Sequence, residues 1–533
     1  MLLILGLDGA DWRILDPWLR AGHLPALAEL KARSRWSGLQ STIRPESSVA
    51  WAAFATGVNP GKHGVFGFVS QRPEAYDARL NTAASLRATP FWRQAAAAGQ
   101  RLALFNIPMT YPPAPLPRGV VVAGMLTPDT RSPFTQPPDL RERLLAAVPD
   151  YVIHVERTGM DLGDFIRATR RAIDARGRAM RWLLNQEDWD AFIGVFTATD
   201  RLQHYALHLL HPDHPRHDPA QARGLLPELL AAYQALDEAV AGLLQDVGKE
   251  ATVILLSDHG FSPVARAFYV NVFLEQAGWL VWKRPPAQKP GLWRRLRRQP
   301  ALRRLKRALP GLRDVRRPPA LAPWLDAIDW SRTRAVYSPV GGIRFNVRGR
   351  EPLGIVEESA LDGLMEALTE ALMAVRDPVT GRSPIGRVYR REALYAGPWV
   401  HLAPDLILEP RRDDPDPGQN GLIRAGYAAQ PFADSGHLTG NHALRGILAA
   451  AGPGITPGES PDARLLDLAP TLLHLLGLPA LAHMDGRALD FAPGPAPRAE
   501  ASPASDLAPD ADLSPDDRRL IQERLRGLGY LDG

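Results

Sequence analysis

Apolar residues in this chain gather in short unbroken runs: Leu2–Gly6, Leu102–Asn106, Ala191–Thr197 and Thr252–Leu256. A strand covered on both faces shows no alternation of apolar and polar positions, so these runs predict buried parallel strands. Helical spacing lies between them, over Pro25–Lys31, Phe91–Ala98, Leu162–Leu184 and Leu226–Val247. Strands alternating with helices predict a doubly wound α/β sheet.

The rhythm breaks after Phe261. Gly278–Ala320 is rich in Pro and Arg, and residues 328–347 (IDWSRTRAVYSPVGGIRFNV) alternate as a small β region does. An amphipathic helix is expected over Leu361–Val375. The strand–helix rhythm returns with a strand at Leu444–Gly452 and a helix at Leu465–Leu476. The chain therefore reads as an α/β core over 1–265, an inserted basic segment with an α+β cap over 266–400, and the rest of the core over 401–490. The remainder, 491–533, is rich in Ala, Pro, Ser and Asp from Phe491 to Pro515, which predicts a flexible linker. A short terminal helix over Pro515–Leu528, capped by Ser514, follows it.

Composition narrows the function classes. Hydrophobic residues make up 45% of 533 and charged residues 23%, which excludes wholesale disorder. Cysteine is absent, which excludes disulfides, a thiolate nucleophile, Cys-ligated zinc and iron–sulfur clusters. The net charge of +5 is uneven. Lys283–Arg317 holds fourteen Lys and Arg against Asp314 and carries +13, leaving −8 for everything else. A general nucleic-acid binder is therefore not expected. Within that segment Trp293, Leu296, Leu302, Leu305 and Leu309 interleave with Arg. Three readings stay open for it: a solvated loop, peripheral contact with an anionic membrane, or a lid steering polyanionic substrates. The apolar start MLLILGL lacks a basic flank and is cut short by Asp8 and Asp11, and no run approaches the roughly 20 apolar residues of a membrane span. A cytoplasmic protein is expected.

Three of the apolar runs end in acids: Asp8, Asp200 and Asp258. Ligands of open parallel sheets bind beyond the carboxyl ends of the strands. An Asp after a strand also serves as a plain helix N-cap, but here histidines accompany the acids. Asp200 and His204 stand four apart at a helix start, hence on one face. His259 follows Asp258, and His437 and His442 precede the Leu444–Gly452 strand. Carboxylates plus imidazoles without thiolate suit Zn²⁺ or Mn²⁺. His208, His211 and His214 are expected at the surface or behind the ligands. Ser47 and Ser48 precede a small-residue helix, Val49–Thr56, closing at Gly57. A helix N-terminus suits a phosphate oxyanion, and a hydroxyl there is a candidate nucleophile or an ordinary N-cap.

Together these segments resemble the alkaline phosphatase superfamily, in the predicted phosphohydrolase/phosphomutase branch related to type I phosphodiesterase/nucleotide pyrophosphatases. GLDGADW, FATGVNPGKHGVF, FNIPMTYPP, TATDRLQH, SDHGF, IDWSRTRAV, GREPLGIV, APDLIL, GNH, DLAPTLLHLLGLP and the terminal ERLRGLGYL carry the likeness over most of the chain. It implies an alkaline-phosphatase-like sheet and two divalent metals, Zn²⁺ or else Mn²⁺. Asp8, Ser47, Asp258 and His259 would surround one, with Ser47 the nucleophile that becomes phosphorylated. Asp200, His204 and His442 would surround the other. Ser47 is favoured over Ser48 by its distance to the turn at Thr56–Gly57, and His442 over His437 because it ends a G-x-H step before the last core strand. The sequence departs from the pyrophosphatase branch in two places. SSVAW replaces TFPNH, and Phe68 stands where that branch has a phosphate-holding Asn. Arg44 is the only arginine near Ser47 in sequence, so no clear extra cation awaits a phosphate dianion. The resemblance therefore implies hydrolysis of a small phosphate ester, with a diester or pyrophosphate linkage favoured. A monoesterase, a phosphomutase and a metal-binding scaffold remain as alternatives on the same residues.

Overall fold

The computed structural model describes residues 1–283, 321–412, 420–491, 513–527 and 531. Most of the basic segment 283–317 and of the linker 491–515 thus lies outside the described residues. Among the described residues the chain builds a mixed α/β fold around a ten-stranded sheet. Its strands run in the order 458–459, 35–40, 445–451, 252–256, 2–7, 191–196, 102–105, 119–122 and 135–136, with 463–464 also on 35–40.

Leu2–Leu7 is central and pairs in parallel with Ala191–Phe196 on one side and Thr252–Leu256 on the other. Every residue of Leu2–Leu7 is buried. Its alternate side chains enter two different cores: Leu3, Leu5 and Leu7 pack with the helices Leu162–Leu184 and Pro219–Val247, and Leu2 and Ile4 with Ser47–Thr56, Phe91–Ala97 and Leu468–Leu475. That two-sided cover is why the strand sequences are unbroken apolar runs. Truncating one such leucine to alanine costs about 2–5 kcal/mol.

The expected doubly wound sheet is present, and its four core strands lie where the apolar runs put them. The differences are local. The helix expected from Leu226 starts at Pro219, where Asp218 Oδ1 accepts from Ala220 N–H at 2.8 Å. Pro227 lies inside it and denies Arg223 O an intrahelical donor, on an exposed turn that water can serve. Ser47 and Ser48 do not precede their helix but form its first turn, with Glu46 as the N-cap. Leu465–Leu476 divides into a short 3₁₀ turn, Leu465–Asp467, and the α-helix Leu468–Leu475.

Two strands run against the others: the short edge strand Thr135–Gln136, antiparallel to Gly119–Val122, and one inside the sheet. Arg445–Ala451 is antiparallel to both Thr252–Leu256 and Arg35–Gln40. Its beginning therefore lies at the sheet edge where the parallel strands end. A smaller unit covers that edge. It contains a four-stranded antiparallel sheet (335–337, 343–345, 406–410, 385–390) and a three-stranded mixed sheet (421–424, 266–269, 432–434). The ribbon Gly260–Pro263 with Gly440–Ala443 sits beside the core strands, pairing Phe261 with His442. The terminal helix Pro515–Gly527 folds back onto the core, burying Ile521 and Leu525. No helix of the described residues is long and apolar enough to cross a membrane.

Candidate active site

Four strand ends converge at this edge. Leu2–Leu7 delivers Asp8, Thr252–Leu256 delivers Asp258 and His259, and Ala191–Phe196 feeds the helix Ala198–Ala206 that carries Asp200 and His204. The antiparallel strand brings His442 just before its own start. Two buried trios result: Asp8, Asp258 and His259, and Asp200, His204 and His442. Within each, one potential ligand atom per residue lies within 4.8 Å of the others.

The second trio is tight. His442 Nε2 lies 3.1 Å from Asp200 Oδ1 and 3.1 Å from His204 Nε2. In the first, His259 Nε2 stands 3.4 Å from Asp258 Oδ2 and 3.7 Å from Asp8 Oδ1. The trios adjoin through the rings of His259 and His442, stacked at 3.8 Å.

The tautomers follow from the partners. His442 Nδ1 lies 2.7 Å from Pro45 O, His204 Nδ1 3.1 Å from Gly440 O, and His259 Nδ1 3.1 Å from Gly260 O. A carbonyl only accepts, so each Nδ1 carries the hydrogen and each Nε2 offers a lone pair to its trio. Backbone carbonyls commonly orient metal-bound imidazoles in this way. Two lone pairs, on His204 and His442, then face each other at 3.1 Å, a repulsive arrangement that a cation between them relieves.

The carboxylates are equally unbalanced. Asp8 Oδ1, Asp200 Oδ2 and Asp258 Oδ2 are buried without a hydrogen-bond partner. Buried acceptors in proteins are nearly always satisfied. Burial, reinforced by the neighbouring Asp258 and Asp200 carboxylates, pushes the Asp8 carboxyl well above its usual range, and burial pushes Asp258 up to about 8. Burial likewise depresses His259 and, with His259 beside it, His442. Orphaned carboxylate oxygens and neutral imidazole lone pairs fit divalent cations. The donor set, oxygen and nitrogen without sulfur, suits Zn²⁺ or Mn²⁺.

Ser47 opens the helix Ser47–Thr56, and its hydroxyl lies 3.3 Å from His259 Nε2. Ser48 points its hydroxyl elsewhere, donating to Glu46 Oε1 at 3.0 Å. Glu46 also accepts from Phe68 N–H at 2.7 Å and from Arg44 Nη2 at 2.9 Å. Arg44 Nη1 donates to Val340 O. The guanidinium is thus bound to a carboxylate and to the covering unit. A cleft of about 110 Å³ adjoins the second trio, with Arg44, Glu46, Tyr337, Arg412, Asn441 and His442 among its walls.

Other sequence candidates fall outside the trios. His437 is exposed, stacks on Tyr205 and lies 3.4 Å from Gly527 O. His208 and His214 are buried rather than superficial, and bond to Gln221 and to Val264 O. Phe68 is buried and touches the site through its backbone N–H. Three further participants went unrecognised in the sequence. Glu46 organises the serine turn, Trp51 Nε1 donates to Asp8 Oδ2 at 3.2 Å, and Phe261 lies against the histidines. For Trp51 a signal existed, since it stands four residues from Ser47 on one helix. Glu46 and Phe261 lie two residues from Ser48 and His259, but the contacts that define their roles, with Phe68 and with His204 and His442, come from remote segments.

The comparisons agree with this architecture. The family model of type I phosphodiesterase / nucleotide pyrophosphatase matches residues 2–413. Among solved structures, phosphonoacetate hydrolase from Sinorhizobium meliloti 1021 is similar at 14% identity and a TM-score of 0.50, over 88% of this chain and 94% of that one. Murine ectonucleotide pyrophosphatase / phosphodiesterase 5 is similar at 14% identity and a TM-score of 0.48, over 90% and 96%. No curated protein matches the sequence. The likeness to phosphonoacetate hydrolase shows an alkaline-phosphatase-like fold, and the match over residues 2–413 shows that the chain belongs to the type I phosphodiesterase/nucleotide pyrophosphatase family.

Proposed function

We propose that this protein is a metal-dependent phosphoester hydrolase that cleaves a phosphodiester or pyrophosphate linkage through a phosphoserine at Ser47. The observation that carries the reading is the position of Ser47. Its hydroxyl stands at the positive end of a ten-residue helix, 3.3 Å from His259 Nε2 and beside two buried sets of unsatisfied ligand atoms.

Asp8, Asp258 and His259, with Ser47 Oγ, would hold one divalent cation, and Asp200, His204 and His442 a second. Two such cations, when bound, supply the Lewis acidity that lowers the pKa of a serine hydroxyl and neutralises phosphate charge. The chain holds Ser47 Oγ in place, while Glu46 keeps the neighbouring Ser48 hydroxyl turned away. Ser47 would give its hydroxyl proton to solvent as Oγ bonds to phosphorus and the bond to the leaving oxygen breaks, that oxygen taking a proton from water. A second water would then break the Oγ–P bond, leaving the phosphate product and restoring the serine O–H. The helix dipole favours the anionic phosphate in both steps. No Ser-His-Asp triad is required.

The diester preference rests on Arg44. A monoester dianion needs more positive charge than a diester monoanion, and Arg44 is neutralised by Glu46. The test compares kcat/KM for bis(p-nitrophenyl) phosphate and p-nitrophenyl phosphate at one pH with saturating Zn²⁺ or Mn²⁺. The diester is expected to lead. A tenfold monoester preference, about 1.4 kcal/mol of differential transition-state binding, would overturn the linkage assignment. An isomerised phosphate ester without free phosphate would mean a mutase.

A further inference from the structure

We propose that Phe261 is a positioning residue that sets the ring planes of all three histidines of the two trios and thereby couples the trios; this rests on the two-cation reading above. The ring of Phe261, a residue 2% exposed, meets His204 edge-on at 4.9 Å and 80° and His442 edge-on at 5.3 Å and 72°, and lies tilted against His259 at 5.9 Å and 49°. It thus contacts imidazoles of both trios.

Each imidazole is tied at Nδ1 to one carbonyl, and a hydrogen bond at that atom does not by itself fix the tilt of the ring plane. The Nε2 lone pair lies in the ring plane, so a tilt turns it away from its trio. An edge-to-face contact restricts that tilt, and a phenyl ring has no donor atom with which to compete for a cation.

The surroundings are shaped to this ring. A Cβ at Gly9 would stand 2.8 Å from Phe261 Cε2, so the turn after the central strand leaves room where the ring lies. Its backbone is held as well. Phe261 N–H donates to Asp11 Oδ2 at 3.2 Å, Phe261 O accepts from Arg13 Nη2 at 3.0 Å, and the residue pairs with His442 across the ribbon.

The test uses full-length Phe261→Leu and Phe261→Ala. Zn²⁺ affinity of each equivalent is measured by chelator competition, melting temperature by calorimetry, and the imidazole Hε1 shifts by NMR in metal-free protein. Loss of groups that orient metal ligands typically weakens affinity 10–100-fold. Phe261→Leu, which keeps an apolar filling, is expected to weaken both equivalents at least tenfold. It should also move all three Hε1 resonances while the protein still melts cooperatively. Affinities within twofold of wild type, or a loss confined to one equivalent, would overturn the proposal. If Phe261→Ala does not fold, Phe261→Leu decides alone. A wild-type protein that takes up no Zn²⁺ or Mn²⁺ would overturn both readings, and that result appears before any variant is compared.

Discussion

The imidazoles of His259 and His442 stack at 3.8 Å with 23° between their planes, one ring from each trio. Each offers Nε2 to its own trio, because Gly260 O and Pro45 O claim the opposite nitrogens. Contact this close means that changes in one trio reach the other. The variants below are therefore best read with both metal equivalents measured.

Ser47→Ala is expected to abolish turnover while metal content stays near wild type. Ser48→Ala should retain most activity, since that hydroxyl is engaged by Glu46 Oε1. Steady-state rates and elemental analysis of the two variants check this. Full activity in Ser47→Ala with loss in Ser48→Ala would move the nucleophile by one residue.

His442→Ala should remove about one metal equivalent, whereas His437→Ala should remove none. His442 Nε2 faces Asp200 and His204, while His437 is exposed and lies against Tyr205 and Gly527 O. Elemental analysis decides, and equal loss from both variants would contradict the geometry.

His63 should make the protein acid-labile. It is fully buried, and burial depresses its pKa to about 3 from an ordinary 6.5. Below pH 6.5 the unfolded chain binds a proton at this residue that the folded chain refuses. Stability is therefore complete above pH 6.5 and falls as pH drops toward 3. The loss attributable to His63 is about 2 kcal/mol between pH 6.5 and 5. Denaturant titrations of wild type and His63→Leu at both pH values give the difference in slope. Parallel slopes would show that His63 is not responsible.

The terminal helix should depend on Arg524. Its buried guanidinium donates to Thr127 O, to Pro128 O at 2.7 Å and to Glu156 Oε1 at 3.0 Å. Arg524→Ala leaves the buried Thr127 and Pro128 carbonyls without this donor, while the half-exposed Glu156 turns to water, and should cost about 2–3 kcal/mol. Faster amide exchange over Pro515–Gly527, with the central strands unchanged, is the expected signature. Uniform protection would contradict it.

Much of the molecule was legible in the sequence because its causes are local. Two-sided burial wrote the core strands as unbroken apolar runs, and the three acids after them marked the functional edge. The spacing of Asp200 and His204 already placed both on one helical face. The resemblance led to the same family that the match over residues 2–413 shows.

What tertiary structure decided lies between distant residues. The sequence by itself left Ser47 and Ser48 outside the helix, and the resemblance alone favoured Ser47. Folding brings Phe68 to Glu46 and His259 to Ser47, while Glu46 holds its near neighbour Ser48 turned away. Only the antiparallel direction of Arg445–Ala451 explains why a histidine before a strand meets acids after strands. Only packing shows Phe261 among three imidazoles drawn from three segments. A hydrophobic pattern records which face of an element is buried, but not which partner buries it. The orientation of each ligand atom depends on that partner.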